Sequence, residues 1–192
     1  MIDIPCYALE EGWVEVLFEC INVQSRENVH ETSMTLMAKK LIIHAIIYLS
    51  LALAFLVWVI INGNLEHMTF AIVIFISCFA LVSYRYYNVP KIYAKQIYET
   101  SIKMYQEAIH THVQFTASII RNNNLQSRNF KTFQYKEITK LVETEHLYLL
   151  LTQNKSVIML TKDGFVTGEE AQFIDFMKEK SSYLKLKLLR KK

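Results

Sequence analysis

The chain has 192 residues, of which 52% are hydrophobic and 20% are charged, and its formal net charge is +3. This length allows roughly one globular domain besides any membrane segment. The small net charge gives no ground for nucleic-acid binding, and a total of four glycines leaves no room for a glycine-rich phosphate loop. Motifs of metalloproteases, zinc sites and serine hydrolases are absent from the sequence. We therefore expect neither an enzyme nor a bound metal or cofactor.

The first segment, residues 1–40, alternates in polarity from Trp13 to Cys20 and has no basic residue before Arg26. The alternation predicts a half-buried strand, with a helix as the alternative. A signal peptide would need a basic start, so none is expected. The strand would join a sheet formed later in the chain, because its apolar side needs a surface to cover it. That side consists of Val14, Val16, Phe18 and Cys20.

Two apolar runs follow at residues 41–61 and 68–84, and a short polar link joins them. The first run has no charged residue and matches the roughly 20 helical residues that cross a hydrocarbon core. A buried soluble helix is the alternative, but the run is long for that. We predict a transmembrane hairpin over residues 41–87, in which His44 lies near the interface rather than serving as a proton relay. Membrane-spanning positions include Leu41, His44, Trp58, Ile61, Met68, Cys78 and Tyr84.

Basic residues flank the hairpin and are absent from its link. Lys39 and Lys40 precede the first run, whereas Arg85, Lys91 and Lys95 follow the second. The positive-inside rule therefore predicts a multi-pass protein of the inner or plasma membrane with both termini in the cytoplasm. The cysteines lack the spacing of a disulfide framework and are expected to be free thiols. They are Cys6, Cys20 and Cys78.

The remainder is predicted to be a juxtamembrane helix over residues 88–108 and a cytosolic sheet-plus-helix domain over residues 109–184. Short runs of period two separated by polar residues favour an antiparallel meander of five strands, with residues 121–124 as a turn. A capping box from Thr167 to Glu170 begins the C-terminal helix, whose apolar stripe would cover the sheet. His110 and His112 share one side of a strand, but no third metal ligand accompanies them at a known spacing.

The last segment, residues 185–192, is a basic tail. Each lysine or arginine near an anionic membrane surface contributes about 1 kcal/mol of electrostatic attraction. The tail is therefore a candidate for lipid contact. A solvated, frayed end is the alternative. The tail residues concerned are Lys185, Lys187, Arg190, Lys191 and Lys192.

One segment resembles a known family. Tyr135, Ile138, Val142 and Glu143 in one predicted strand, followed by Phe165, Glu169, Glu170 and Phe173 toward the last helix, are similar to the bacterial YcxB-like membrane proteins. The resemblance covers about residues 1–180 and implies a pleckstrin-homology-like domain, a small sheet closed by one helix. The family commonly has Pro-Lys-Arg before the phenylalanine, whereas this chain has Thr-Lys-Asp-Gly at residues 161–164. No settled activity follows from the resemblance.

The predicted fold class is an α+β membrane protein, in which a two-helix transmembrane hairpin carries a cytosolic antiparallel sheet capped by a C-terminal helix. The expected function is non-enzymatic: the hairpin anchors a cytosolic domain that binds a protein partner or the membrane surface. Two alternatives stay open, an immunity or inhibitor protein that neutralises a toxin and an accessory subunit of a membrane complex. The expected partners are membrane lipid and a protein, with homo-oligomerisation open and no nucleic acid.

Overall fold

The computed structural model describes residues 15–62, 65–181 and 184–188 of an α+β protein with two long apolar helices and two sheets. The chain divides into two compact units. The helical unit comprises residues 24–108, and the sheet unit combines the part before residue 24 with the part from residue 109 onward. The start of the predicted N-terminal strand, Trp13 and Val14, lies outside the described residues.

The helical unit consists of helix α1 (Arg26–Ile61) and helix α2 (Leu65–Tyr105), which pack against each other. The Ser25 hydroxyl begins α1 by accepting a hydrogen bond from the Asn28 backbone N–H at 3.1 Å, which satisfies one of the free donors of the first turn. Small side chains occupy many of the buried positions, and they permit close helix approach. They are Ser33, Ala52, Ala71, Ala94 and Ser101.

The apolar side chains of this unit mostly face outward. The most apolar windows of the two helices are only 11% and 6% buried, and Ile61, Leu51 and Phe70 are 77%, 64% and 61% exposed. By length and composition, these two helices of the described chain are sufficient to cross a membrane. The second predicted span and the predicted juxtamembrane helix form one continuous helix, which passes through Pro90.

The described residues of the sheet unit form two sheets and one α-helix. The order in the first sheet is β4-β3-β2-β1-β8, and in the second it is β7-β6-β5-β9. Helix α3 spans Glu170–Lys180. The strands are β1 (Val16–Val23), β2 (His110–Thr116), β3 (Ile119–Asn124), β4 (Asn129–Gln134), β5 (Ile138–Glu143), β6 (Leu147–Thr152), β7 (Val157–Thr161), β8 (Phe165–Thr167) and β9 (Lys185–Lys187).

Strand β1 lies inside the first sheet, antiparallel to both β2 and β8. Cys20 pairs with Val113 on one side and with Phe165 on the other. Because alternate residues of a strand point to one face, Phe18 and Cys20 both enter the core. The prediction that the N-terminal strand joins the sheet formed after the hairpin is confirmed.

Aromatic rings dominate the core between the sheets and α3. The Phe18 ring lies 4.7 Å from that of Phe176 and 5.6 Å from that of Phe173, and Phe115 lies 5.1 Å from Phe173. Phe173 and Met177 of α3 have no exposed surface. The predicted apolar stripe of the C-terminal helix therefore covers the core.

A buried polar cluster joins β1 to the end of β7. The side-chain amide oxygen of Asn22 accepts hydrogen bonds from the Thr161 backbone N–H at 2.6 Å and the Cys20 thiol at 3.1 Å. A Cβ on Gly164 would lie 2.4 Å from the Ile21 carbonyl oxygen, so the chain approaches β1 too closely for a side chain there. Burial raises the pKa of the Cys20 thiol to about 12, which keeps it protonated and unreactive at neutral pH.

The predicted turn at residues 121–124 is wrong, because these residues continue β3 and pair with β2 and β4. The chain instead reverses at residues 117–118 and 125–128. In the second turn, the Asn124 side-chain oxygen accepts from the backbone N–H groups of Gln126 and Ser127 at 3.0 Å each. The Asn124 side chain thus stabilises the turn that follows it. Residues 121–124 themselves remain hydrogen-bonded within the sheet.

The predicted capping box is also wrong. Helix α3 begins at Glu170, and Glu169 at the cap position forms no side-chain cap hydrogen bond. Thr167 ends β8, and the Gly168 backbone has a φ of +80°, a conformation that glycine adopts without strain. Glu170 accepts a hydrogen bond from the Tyr148 hydroxyl at 2.8 Å instead.

The predicted five-stranded antiparallel meander is too simple. The described residues form nine strands in two sheets, and β9 pairs with β5 in parallel. Seven strands, β2 to β8, lie within residues 109–184, and β1 and β9 come from outside that range. Local alternation does not reveal such long-range pairing.

Replacing Phe18 by alanine should lower the free energy of unfolding of the sheet unit by about 3–5 kcal/mol, because a buried aromatic side chain is lost from the core. The measurement is guanidinium denaturation of the full chain in mild detergent, read out by amide hydrogen exchange in β2 and β8. The control is Val166→Ala in β8, whose side chain is 64% exposed and should cost about 0.5 kcal/mol or less. Equal effects of the two substitutions would contradict the placement of β1.

Candidate functional site

A cavity of about 360 Å³ opens at one end of the second sheet. Lys136, Lys140 and Lys185 line it, together with residues that include the partly buried Leu151. Among the residues that the structure describes, none of those lining the cavity is acidic. Three cations without a carboxylate create a positive local potential, which favours an anionic ligand over a metal ion.

Two of the three lysines meet because β5 and β9 lie in register. Lys140 pairs with Lys185 and Leu141 pairs with Leu186. Leu141 is fully buried and Leu186 packs against the main core. Since successive side chains of a strand point to opposite faces, the neighbouring lysines project away from that core and into the cavity. On the other side of β5, Leu151 of β6 pairs with Lys140. Leu151, Lys140 and Lys185 are therefore neighbours across three adjacent strands.

The third lysine sits on a 3₁₀ turn, Tyr135–Glu137, between β4 and β5. The Tyr135 hydroxyl anchors this turn by donating to the Thr116 carbonyl oxygen at 2.6 Å, and burial raises the pKa of that hydroxyl. The Gln153 side chain donates to the Lys136 carbonyl oxygen at 3.1 Å. The backbone of Lys136 is therefore held at the cavity rim, and the residue is exposed.

The cavity lysines lack ion-pair partners among the residues that the structure describes. Elsewhere in the sheet unit, Lys162 lies 3.0 Å from the Glu143 carboxylate and Lys178 lies 2.6 Å from that of Asp175. Like charges directly opposite each other in a sheet are destabilising. The Lys140–Lys185 pair therefore carries an electrostatic cost, and no described carboxylate forms an ion pair with either lysine.

The structure corrects the prediction of a basic tail that starts at residue 185. Lys185 and Lys187 belong to β9, because Leu184 and Leu186 pack against the core and hold the segment in place. Arg190, Lys191 and Lys192 lie outside the described residues. Sequence reasoning missed Lys136 and Lys140, although the alternation of Lys140 with Leu141 signals an outward-facing lysine. Only the pairing with β9 brings these side chains together.

The predicted membrane-spanning residues are distributed along α1 and α2 and do not form a polar site. Trp58 and Tyr84 are 58% and 59% exposed, and His44 is exposed as well. Four of these residues lie on α1 and three on α2. They are Leu41, His44, Trp58 and Ile61, then Met68, Cys78 and Tyr84.

A second, smaller cavity of about 260 Å³ lies in the helical unit, where Arg26, His30 and Lys91 line it. The His30 Nε2 atom is buried and has no hydrogen-bond partner within the described part of the chain. Glu27 also lines this cavity and offsets part of its positive charge. The lysine cavity of the sheet unit is therefore the stronger candidate for an anion.

His110 and His112 do not form a metal site. The His112 Nε2 atom contacts the Glu19 carboxylate, and the His110 backbone N–H donates to the Gln126 side chain at 2.8 Å. Within residues 15–62, 65–181 and 184–188, no group of three or more histidine, cysteine or acidic side chains is placed to hold a metal ion.

Glu19 is the centre of a hydrogen-bonded cluster on the first sheet. Gln114 and Thr167 donate to its carboxylate at 3.2 Å and 3.1 Å, in addition to the His112 contact. Partial burial by itself raises the pKa of Glu19, but hydrogen bonds from His112, Gln114 and Thr167 outweigh it and lower the pKa below 4.5. The charged form of Glu19 is therefore favoured by folding.

The lowered pKa predicts a loss of stability in acid. Above pH 4.5 the contribution of Glu19 is complete, and it disappears as the pH falls through the lower pKa of the folded state. Thermal unfolding of the Glu19→Gln variant should therefore change less with pH than that of the wild type below about pH 5. The matched control is Glu145→Gln, at an exposed turn position. If both variants follow the wild-type pH profile, the cluster does not act in this way.

Comparison with known proteins agrees with the resemblance seen in the sequence. Residues 126–177 match a family model described as YcxB-like protein, and no curated protein matches the chain. The matched part runs from the turn before β4 into α3. It therefore includes Lys136 and Lys140, whereas β1, both long helices and Lys185 lie outside it. Over residues 126–177, the chain is therefore similar to YcxB-like proteins.

Proposed function

We propose that the chain is a non-enzymatic integral membrane protein whose helical hairpin anchors the sheet unit at the cytoplasmic face, where this unit binds the anionic membrane surface. The sheet unit would have a pleckstrin-homology-like fold, a proposal supported by its two sheets and the single helix α3 that covers their core.

The outward-facing apolar surface of α1 and α2 is the observation that carries this proposal. Their most apolar windows are 11% and 6% buried. Soluble monomers rarely expose contiguous apolar patches larger than a few hundred Å². Lipid is the solvent that removes this surface from water, and the small buried side chains between the helices suit packing inside a bilayer.

The lengths of the helices support an anchor with a cytoplasmic extension. At 1.5 Å per residue, the 36 residues of α1 and the 41 of α2 span about 54 Å and 62 Å. The hydrocarbon core is about 30 Å thick. The charged parts of both helices, before Leu41 and after Tyr84, would then extend beyond it on one side.

The distribution of charge supports the orientation. Lys39 and Lys40 of α1 and Arg85 of α2 lie at the ends of the apolar runs away from the link, so the positive-inside rule places these ends in the cytoplasm. The sheet unit joins the same ends through the short connections 24–25 and 106–109. It would therefore lie on the cytoplasmic side, with its unpaired lysines available to anionic headgroups.

Leu51 and Met104 provide a matched test of the anchor, since their side chains are 64% and 67% exposed. An arginine at a helix centre in the membrane costs about 2.5–3.5 kcal/mol, so Leu51→Arg should reduce the fraction of chain that resists alkaline carbonate extraction. Met104→Arg, near the end of α2 and outside the apolar run, should leave that fraction unchanged. Two soluble helices would tolerate both substitutions, because both positions already face solvent.

The orientation is tested separately by protease protection. Tags on the two termini should be digested in inverted vesicles and protected in intact cells. Release of the wild-type chain by carbonate, or a terminal tag that is accessible from outside intact cells, would contradict the proposal.

A further inference from the structure

We infer that the cavity lined by Lys136, Lys140 and Lys185 is a binding site for a phosphate ester. This inference deepens the proposed function and rests on it for one source of the ligand, the headgroup of an anionic phospholipid. A free phosphate ester in the cytoplasm is the other source of the same chemistry.

The first argument is the unrelieved repulsion between the lysines. The register of β5 and β9 places Lys140 directly beside Lys185, and Lys136 reaches the same cavity from its 3₁₀ turn. None of the three has an ion-pair partner among the described residues. An anion between them would convert a destabilising like-charge arrangement into charge-assisted hydrogen bonds.

The second argument is the number and kind of donors. A phosphate has several oxygens that point in different directions, and a lysine ammonium binds each as a point charge with freely rotating donors. Gln153 also lines the cavity and uses one of its two amide hydrogens in the bond to the Lys136 carbonyl oxygen. Its second amide hydrogen is a further donor.

The third argument is the apolar part of the lining, which favours an ester over inorganic phosphate. Leu151, which is partly buried, lines the cavity beside the lysines, and the Thr139 hydroxyl is already engaged with the Leu151 carbonyl oxygen at 3.1 Å. Carbon atoms attached to the phosphate would contact the Leu151 side chain. The volume of about 360 Å³ lies at the lower end of the range of ligand pockets, which suits a headgroup-sized molecule such as glycerol phosphate.

The test uses the full chain in micelles of a neutral detergent. Thermal unfolding of the sheet unit is followed as glycerol phosphate is added, with chloride and acetate as references at matched ionic strength. Ligand that binds only the folded state raises the unfolding temperature in a saturable manner. We expect such a rise with glycerol phosphate and a weaker one with inorganic phosphate. An equal effect of acetate, or no saturable rise, would overturn the inference.

Variants locate the site. Each of Lys140→Gln and Lys185→Gln should raise the apparent dissociation constant by about tenfold, as expected when one charge-assisted hydrogen bond is lost. Lys131→Gln, an equal change of charge at an exposed position of β4, should leave it unchanged. In chloride alone, Lys140→Gln should be at least as stable as the wild type, because it removes the like-charge pair. If the Lys131 variant loses binding to the same degree, the cavity is not the site.

The source of the ligand is identified in nanodiscs. If the site takes lipid headgroups, phosphatidylglycerol discs should raise the unfolding temperature relative to phosphatidylcholine discs and abolish the response to glycerol phosphate. If the ligand is free, that response should be the same in both discs. The micelle titration does not require a membrane anchor. Failure of the carbonate test would therefore contradict only the proposed anchor, and failure of phosphate binding would contradict only the proposed site.

Discussion

The pairing of β1 with β2 is the constraint on which the rest of the structure depends. Val23 lies opposite His110, so the chain leaves the first sheet, forms both long helices and returns to the same sheet. The first helix must therefore be followed by a second that runs back, and the two pack as a pair. The same pairing brings Phe18 into the aromatic core and sets Asn22 against Thr161, so the short segment before the helices is structural and is not a tail.

The sheet unit treats its charged groups in two different ways. Glu19 and Lys162 are surrounded by partners: hydrogen bonds and the His112 contact hold Glu19 in its charged form, and Lys162 lies against Glu143. The cavity lysines have no such compensation within the described chain. What distinguishes the cavity lysines is that three of them line one cavity, where Lys140 lies beside Lys185. This contrast links the sheet unit to the proposed anionic surface, since lipid headgroups carry the complementary charge.

Several elements followed from local pattern alone, and others did not. The apolar stripe of α3 and the alternation in β1 were visible because period-dependent burial is a local property. The turn at residues 121–124 was misplaced because asparagine favours turns in general, yet here the ladder with β2 and β4 provides partners for its backbone. The capping box failed for a similar reason: Glu170 bonds to Tyr148 from another strand. Likewise, the contacts of Thr161 and Gly164 with β1 join segments that are far apart in the chain.

The amino-acid sequence by itself determined the two apolar helices, their flanking charges and the alternation of lysines with aliphatic residues, because hydrophobicity and periodicity act over a few residues. Tertiary structure alone decided that residues 185–187 form a strand beside β5 and that three lysines from distant positions share one cavity. The reason is that strand pairing depends on register between segments far apart in the chain, and a shift of one residue would turn each lysine of β9 to the opposite face.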